Sequence, residues 1–233
     1  MAFIEFKNVT KEYNMDEVKV KALKKASFEI EKGQLVIING PSGAGKTTCL
    51  NILGGIDKLT NGSVIVDGVK INELKGRKLV RYRRNDVGFV FQSCNLIQNL
   101  TVKENVELAT QICENSEEPI SIIKKVGLSK KMNNYPSSLL SSEKQKVAIA
   151  RAIIKRPKLL LCDEIDSVLN DKNGKQVLKL LQETAKKEGT TIIIVTHNSA
   201  IYPIANQVIT FKNGSVCEVK INKKPKAAGD LSW

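Results

Sequence analysis

The sequence predicts an α/β fold with a mostly parallel sheet, to which an antiparallel β subdomain and an inserted helical lobe are attached. Short apolar runs alternate with helical segments, which favours a parallel sheet with right-handed crossovers. Short alternating runs separated by turn residues near the N-terminus favour antiparallel strands. Residues 101–154 have a helical pattern. We therefore expect one domain at 1–223, with the helical lobe at about 93–156, and a tail at 224–233.

The individual strands follow from hydropathy and from turn residues. Residues 3–9 and 26–30 alternate between apolar and polar side chains, as half-exposed strands do. Asn61-Gly62 and Asp67-Gly68 indicate turns on either side of a strand at 63–66. Apolar runs predict buried strands at 35–38, 87–91, 158–162 and 190–196, and short final strands at 208–211 and 216–219.

The helices are marked by their boundary residues. Thr101 and Glu104 have the spacing of a capping box, which predicts a helix through Gln111. Pro119 and Gly127 mark the beginning and the end of the next helix. Further helices are predicted at 142–154 and 173–187. The tail is rich in Lys, Pro, Ala and Gly, which predicts loose order before Leu231.

The composition is typical of a globular protein of the cytosol. Of the 233 residues, 42% are hydrophobic and 26% are charged. The five cysteines are an odd number without a C-x-x-C pair, which favours reduced packing residues over a disulfide framework. No segment has the layout of a signal peptide, and the apolar runs have strand length. Any membrane-spanning part is therefore expected on another chain.

The net charge of +13 would attract nucleic acid, an anionic membrane surface or nucleotide phosphates. Solvated helix and loop surface is the favoured interpretation of each basic cluster. No aromatic residues are interleaved with the clusters, as a groove for single-stranded nucleic acid would need. We therefore expect no nucleic-acid partner. The clusters lie at 19–25, 77–84, 124–131 and 220–226.

The strongest motif lies at 40–47 and matches G-x-x-x-x-G-K-[ST]. A predicted strand precedes it and a predicted helix follows it, which is the context of a phosphate-binding loop. The backbone N–H groups and the helix N-terminus favour phosphate, Lys46 adds a charge, and Thr47 offers a hydroxyl to Mg²⁺. The predicted nucleotide-binding residues are Gly40, Ser42, Gly43, Ala44, Gly45, Lys46, Thr47 and Thr48.

Two acids follow the apolar strand at 158–162. Alone, such a pair is more often a surface feature, but a phosphate loop upstream favours a catalytic interpretation. Asp163 is then placed to hold Mg²⁺, and Glu164 to polarise a water aimed at the γ-phosphate. Gln92 and His197 also follow predicted strands; Gln92 could reach Mg²⁺ or the attacking water, and His197 the γ-phosphate. Tyr13, in a loop-like segment, could stack on adenine.

These residues, in this order, resemble the ABC ATPase family over nearly the whole chain. Residues 51–57 and 88–92 are similar to the branch of macrolide-exporter, lipoprotein-releasing and antimicrobial-peptide-resistance ATPases (MacB-, LolD- and FtsE-like). Five stretches match motifs of the family: the Walker A motif at 40–48, the Q-loop at 91–92, the end of the signature helix at 147–152, the Walker B motif at 161–164 and the H-switch at 195–197.

The resemblance implies an ATPase subunit of a membrane transporter. It implies a RecA-like core, with Tyr13 as the adenine-stacking residue of the antiparallel subdomain. It also implies an ATP-sandwiched dimer, docked beneath a permease on a separate chain. The protein would then be cytoplasmic and peripheral on the inner face of the plasma membrane, with ATP and Mg²⁺ as cofactors.

The chain departs from the family at the signature motif. The family's Leu-Ser-Gly-Gly-Gln/Glu should follow Tyr135-Pro136, but residues 139–143 are Leu-Leu-Ser-Ser-Glu. Leu140 therefore replaces the serine that would bond the γ-phosphate of the opposite subunit's nucleotide. The loop after Walker B also departs, with Ile165, Asp166 and Asn170 at positions that usually hold Pro, Thr and Asp.

Several interpretations remain open at this stage. A homodimer would join a complete half-site to an impaired one and hydrolyse slowly, whereas a heterodimer would offer this chain's ATP a standard signature. Ser141 or Ser142 could also take over the serine's role. Beyond transport, the alternatives are a regulatory nucleotide-binding subunit with little hydrolysis, or an ABC ATPase that acts on nucleic acid or ribosomes.

Overall fold

Two β-sheets organise the computed structural model, which describes residues 2–15, 18–113, 115–165 and 174–231. The first sheet is antiparallel, in the order β2-β1-β4-β5, and contains β1 (Ile4–Met15), β2 (Val18–Ile30), β4 (Asn61–Val66) and β5 (Val69–Lys70). The second has the order β10-β9-β3-β8-β7-β6. Its strands are β3 (Leu35–Asn39), β6 (Val87–Val90), β7 (Leu159–Asp163), β8 (Thr191–Val195), β9 (Gln207–Lys212) and β10 (Ser215–Ile221).

The second sheet is parallel except at one edge, where β10 pairs antiparallel with β9. Every residue of β7 and β8 is buried. Such continuous apolar runs suit parallel strands that are covered on both faces. The mostly parallel sheet and the antiparallel β subdomain predicted from the sequence are confirmed.

The helical lobe lies between β6 and β7 in the chain. It contains α3 (Val102–Gln111), α4 (Pro119–Lys125) and α5 (Ser141–Ile153). Outside it lie α1 (Lys46–Leu53), α2 (Gly76–Arg81), which continues as a π-helical turn over Tyr82–Asp86, and α6 (Gly174–Glu188). Short 3₁₀ turns occupy Ile71–Glu73, Ser129–Lys131, Pro136–Ser138, Ser199–Ile204 and Ala228–Asp230.

The predicted capping box at the start of α3 is confirmed. The Thr101 hydroxyl accepts a hydrogen bond from the Glu104 N–H at 3.3 Å, and the Glu104 carboxylate accepts one from the Thr101 N–H at 2.7 Å. Two orphan donors of the first turn are therefore satisfied by neighbouring side chains. Pro119 also begins α4 as predicted.

Three local predictions in the β regions were wrong. Tyr13 lies within β1, because that strand continues to Met15 by pairing with β2. Asn61 and Gly62 belong to β4 and do not form a turn, because they pair with β1 across a register shift between Lys7 and Thr10. Phe91 lies just beyond β6, which ends at Val90.

The C-terminal segment is packed, contrary to the loose order expected for it. Ala228 and Leu231 are buried in the same core as α6. The Gln182 amide of α6 donates to the Lys226 carbonyl at 2.8 Å and accepts from the Ala228 N–H at 3.0 Å. These contacts join the segment to the body of the protein as far as Leu231; Ser232 and Trp233 lie outside the described residues.

No helix among the described residues has both the length and the apolar character needed to cross a bilayer. All five cysteines carry free thiols, and Cys49, Cys94 and Cys162 are buried.

Gly62→Ala should destabilise the protein strongly. Gly62 has φ 103°, and an added Cβ would lie 2.6 Å from the carbonyl oxygens of Lys7 and Asn8. We expect the free energy of unfolding to fall by about 3 kcal/mol or more. Gly68→Ala is the matched control, since Gly68 also has positive φ, 76°, but its Cβ would meet no atom within 4 Å. It should lose only about 1 kcal/mol. Equal losses in urea unfolding would show that the β1–β4 contact does not require glycine.

Candidate functional site

The site lies along the carboxyl edge of the parallel sheet. The strand order β3-β8-β7-β6 places the ends of these four strands side by side. The loop at 40–45 follows β3, Glu164 follows β7, His197 comes just after β8, and Gln92 comes just after β6. Because ligands bind beyond the carboxyl ends of strands in open α/β sheets, this edge is the expected binding site.

The phosphate loop is packed on one side and open on another. A Cβ at Gly40, which has φ 142°, would lie 2.2 Å from the Phe211 carbonyl oxygen of β9, so no larger residue fits there. Gly43 has φ 75°, and a Cβ there would meet nothing within 4 Å. The loop therefore rests against β9 while leaving open space beside Gly43, which fits a bound phosphate group.

Lys46 begins α1 and is held by the loop itself. Its Nζ donates to the carbonyl oxygens of Gly40 at 2.8 Å and Pro41 at 2.9 Å. The residue is only 5% exposed. Burial lowers the pKa of its ammonium, an effect opposed by the charges of Glu164 and Asp163. Because these two carboxylates offset the effect of burial only in part, an anionic ligand beside the ammonium is favoured.

Thr47 and Asp163 meet across the site. The Thr47 hydroxyl donates to Asp163 Oδ1 at 3.3 Å. Burial raises the pKa of the Asp163 carboxyl, and the bond from Thr47 works in the opposite direction. A carboxylate and a hydroxyl are oxygen donors of the kind that Mg²⁺ prefers. The donor set at this point therefore fits a hard divalent cation.

Glu164 brings the other two predicted catalytic residues together. Gln92 Nε2 donates to Glu164 Oε2 at 2.7 Å, and His197 Nε2 lies 3.5 Å from Glu164 Oε1. Glu164 itself has φ 49°, in the left-handed region that non-glycine residues rarely adopt. Within the described residues, the Gln92 side chain bonds to Glu164, and no hydrogen bond joins it to the Thr47–Asp163 pair, where metal binding was also predicted for it.

Tyr13 is fixed by neighbours that the sequence analysis did not identify. Its hydroxyl donates to Asp57 Oδ2 at 2.6 Å, and Lys11 Nζ lies 4.6 Å from the centre of its ring. Burial, together with the Asp57 bond, raises the pKa of Tyr13, whereas a bond with Thr48 works against this rise. Tyr13 therefore sits beside Thr48 at the start of α1. Lys11 and Asp57 are ordinary charged residues in the sequence, and only the folded structure brings both of them into contact with Tyr13.

The N-terminus of α5 is capped by Glu143 of its first turn, which also pairs with a lysine outside the helix. Leu140 precedes the helix and is 68% exposed. Glu143 Oε2 accepts from the Leu140 N–H at 3.0 Å, and Glu143 Oε1 pairs with Lys131 Nζ at 2.6 Å. Leu140 thus offers an apolar surface, without a donor in its side chain, at the start of α5. Of the loop after Walker B, Asp166 and Asn170 lie outside the described residues.

These features define a nucleotide-hydrolysing protein of the phosphate-loop class. They are a glycine loop with a buried lysine, a threonine–aspartate pair, and a glutamate at the end of a strand, all at one edge of the sheet.

Comparison with known proteins makes the assignment narrower: the chain belongs to the ABC transporter family, whose sequence profile matches residues 23–167. It is 39% identical over 222 residues to the ABC transporter ATP-binding protein MJ0796 of Methanocaldococcus jannaschii, covering 91% of this chain and 94% of that protein. It is 36% identical over 214 residues to the lipoprotein-releasing system ATP-binding protein LolD of Buchnera aphidicola, covering 90% and 93%.

A solved structure agrees with this assignment. The dimeric structure of a post-hydrolysis state of the ATP-binding cassette MJ0796, bound to ADP and Pi, superposes with a TM-score of 0.88 at 36% identity, covering 94% of this chain and 98% of that one. The resemblance drawn from the motifs is confirmed, as are the fold and the class of activity. The chain is an ATP-binding subunit of an ABC transporter and an ATPase.

Asp163→Asn should stabilise the protein in the absence of nucleotide. Because the pKa of Asp163 is raised in the folded state, the folded protein binds this proton more tightly than the unfolded chain does. Ionisation at neutral pH therefore lowers stability. We expect the variant to have the higher free energy of unfolding at pH 7, with the difference shrinking as the pH falls towards the ordinary range of aspartate. Urea unfolding at several pH values measures this.

Asp230→Asn is the control for that experiment, since Asp230 is exposed on the C-terminal segment. It should show no comparable gain. A gain at Asp163 that stays constant at every pH would contradict the electrostatic explanation.

Proposed function

We propose that this chain binds Mg²⁺-ATP, dimerises around it, and drives a permease on a separate chain by hydrolysing the β–γ bond. The observation that carries the proposal is the convergence of Gln92 and His197 on the Glu164 carboxylate, next to Asp163 and the phosphate loop. A carboxylate in that position is suited to accept a proton from water as the water attacks the γ-phosphate.

Each residue of the site then has a separate task. Lys46 and the N–H groups of the loop hold the phosphates, and Tyr13 stacks on the adenine. Thr47 and Asp163 hold the metal, which would neutralise charge on the phosphates when bound. Glu164 orients and deprotonates the water, while Gln92 and His197 report the γ-phosphate. Each of the two contacts uses only part of the lone-pair capacity of the Glu164 carboxylate, so its oxygens can still accept a hydrogen bond from the water.

A cleft between the sheet and the helical lobe supports a permease partner. It has a volume of about 410 Å³ and contains the stacked rings of Phe89 and Phe91. Ile56 and Ile112 on its wall are 46% and 55% exposed, and Arg83 and Lys155 add positive charge. An exposed apolar surface of this kind is typical of an interaction site. An apolar segment with acidic flanks, on the cytoplasmic side of the permease, would complement it.

Dimerisation is supported by the dimeric assembly of MJ0796. With Leu140 in place of the signature serine, we propose that the half-site this chain lends to its partner is impaired. A second candidate function, favoured by the exposed Leu140, is therefore a regulatory subunit that binds ATP but hydrolyses little. Pairing with a second ABC ATPase of standard signature would leave this chain's own ATP in a complete site.

Glu164→Gln should abolish turnover and keep ATP binding. The amide retains the shape of the side chain but cannot accept the proton of the water, and general-base catalysis supplies at least about a hundredfold in rate. We expect phosphate release to fall by that factor while the dissociation constant for Mg²⁺-ATP stays within about threefold. The exposed Glu218→Gln is the control. Phosphate release at the wild-type rate in Glu164→Gln would reject the assigned base.

Leu140→Ser should raise the ATPase rate of the homodimer. It restores a donor to the γ-phosphate of the opposite nucleotide, a charge-assisted contact worth about 1.5–3 kcal/mol, or roughly 10- to 150-fold in rate. Leu140→Ala is the matched control, because it removes the same bulk without adding a hydroxyl. If Leu140→Ala gains as much as Leu140→Ser, bulk is the limiting factor; if neither gains, the signature position does not set the rate.

A further inference from the structure

The loop that carries Gln92 has an unusual backbone. Cys94 and Asn95 are consecutive non-glycine residues in the left-handed region, with φ 60° and 46°. Such conformations persist only where surrounding structure holds them in place. The loop's own bonds, Cys94 N–H to the Phe91 carbonyl at 3.0 Å and Asn95 N–H to the Ser93 carbonyl at 2.7 Å, make it tight without anchoring it to the rest of the protein.

The anchor comes from Arg151 on α5. Its Nη2 donates to the Cys94 carbonyl and its Nη1 to the Asn95 carbonyl, both at 2.7 Å. The planar guanidinium therefore spans two successive carbonyls, and these belong to the two left-handed residues. Charge-assisted bonds of this length are strong, and burial lowers the pKa of the group without removing its charge.

The same helix contacts the other end of the loop. Gln145 Nε2 donates to the Phe91 carbonyl at 3.5 Å, and Cys94 Sγ lies 3.4 Å from Gln145 Oε1. Gln92 lies between these two points of contact with α5, and its Nε2 donates to Glu164 Oε2 at 2.7 Å. The direction of the Gln92 side chain is therefore set by α5, a helix that contributes no residue of its own to the phosphate loop or to Walker B.

We propose that Arg151 is the positioning residue that aims Gln92 at Glu164 and its water. The proposal rests on the roles assigned above to Gln92 and Glu164. Without the guanidinium, the carbonyls of Cys94 and Asn95 lose their donors, the left-handed pair relaxes, and Gln92 leaves Glu164. The phosphate loop follows a different strand, β3, so nucleotide affinity is maintained while the chemical step slows.

The first test measures the loop directly and requires no turnover. Arg151→Gln should increase hydrogen–deuterium exchange at the amides of Cys94 and Asn95 by about tenfold or more. Arg156→Gln is the matched control, because Arg156 lies just after α5 and pairs with Glu117 at 3.5 Å without touching the loop. Arg151→Lys keeps the charge but cannot span both carbonyls, and should give an intermediate increase. Unchanged exchange in Arg151→Gln would overturn the proposal.

The second test links the loop to catalysis through a double-mutant cycle. In the wild-type background, Arg151→Gln should lower kcat by about tenfold or more and leave KM for ATP within about threefold. In a Gln92→Ala background the same change should have little further effect on kcat, since no glutamine remains to be positioned. An equal fall in both backgrounds indicates a merely structural role and overturns the proposal. Failure of the proposed function itself would show separately, as unimpaired phosphate release in Glu164→Gln.

Discussion

The parallel pairing of β3, β8, β7 and β6 is the constraint on which the site depends. The register aligns Ile38 of β3 with Val195 of β8, and Val195 in turn with Asp163 of β7. Because these strands end together, the loop after β3, the last residue of β7 (Asp163) and Glu164 just beyond it all lie at the same edge of the sheet. A slip of one residue would turn each buried side chain to the opposite face, so the apolar sheet that fixes the core also fixes the chemistry.

The electrostatics of the ligand-free site follow from that geometry. Lys46 is a cation whose charge is disfavoured by burial, and Asp163 is an anion disfavoured for the same reason. Neither charge is fully balanced by the protein. A polyphosphate would complement the first and a divalent cation the second, so the two ligands are expected to bind better together than either does alone.

The loop that carries Gln92 connects this edge to the helical lobe. Arg151 holds the loop, and it also lines the cleft beside Phe91. Under the proposed function, a permease segment in that cleft would contact the residue that orients Gln92. Leu140 directly precedes the same helix, so under the proposed function changes at the dimer contact and at the cleft would both act on one rigid element.

The sequence predicts those features that depend on neighbouring residues. Three local patterns are reproduced by the structure: the capping box at Thr101, the strand–loop–helix unit around Lys46, and the two acids at the end of β7. Contacts between distant segments could not be predicted in this way. Three such contacts join segments that are far apart in the sequence. They are the hydrogen bond from Tyr13 to Asp57, the hydrogen bond from Arg151 to the Cys94 carbonyl, and the pairing of β4, which contains Gly62, with β1.

The packed C-terminal segment lies at the end of the sheet that is remote from the nucleotide site. Ala228 shares a groove with Gly33 and Leu35, which lie at the amino end of β3, whereas the phosphate loop leaves its carboxyl end. A fluorophore or an affinity handle attached to this segment would therefore lie on the opposite side of the sheet from the nucleotide. ATP could enter and ADP depart without disturbing the attachment.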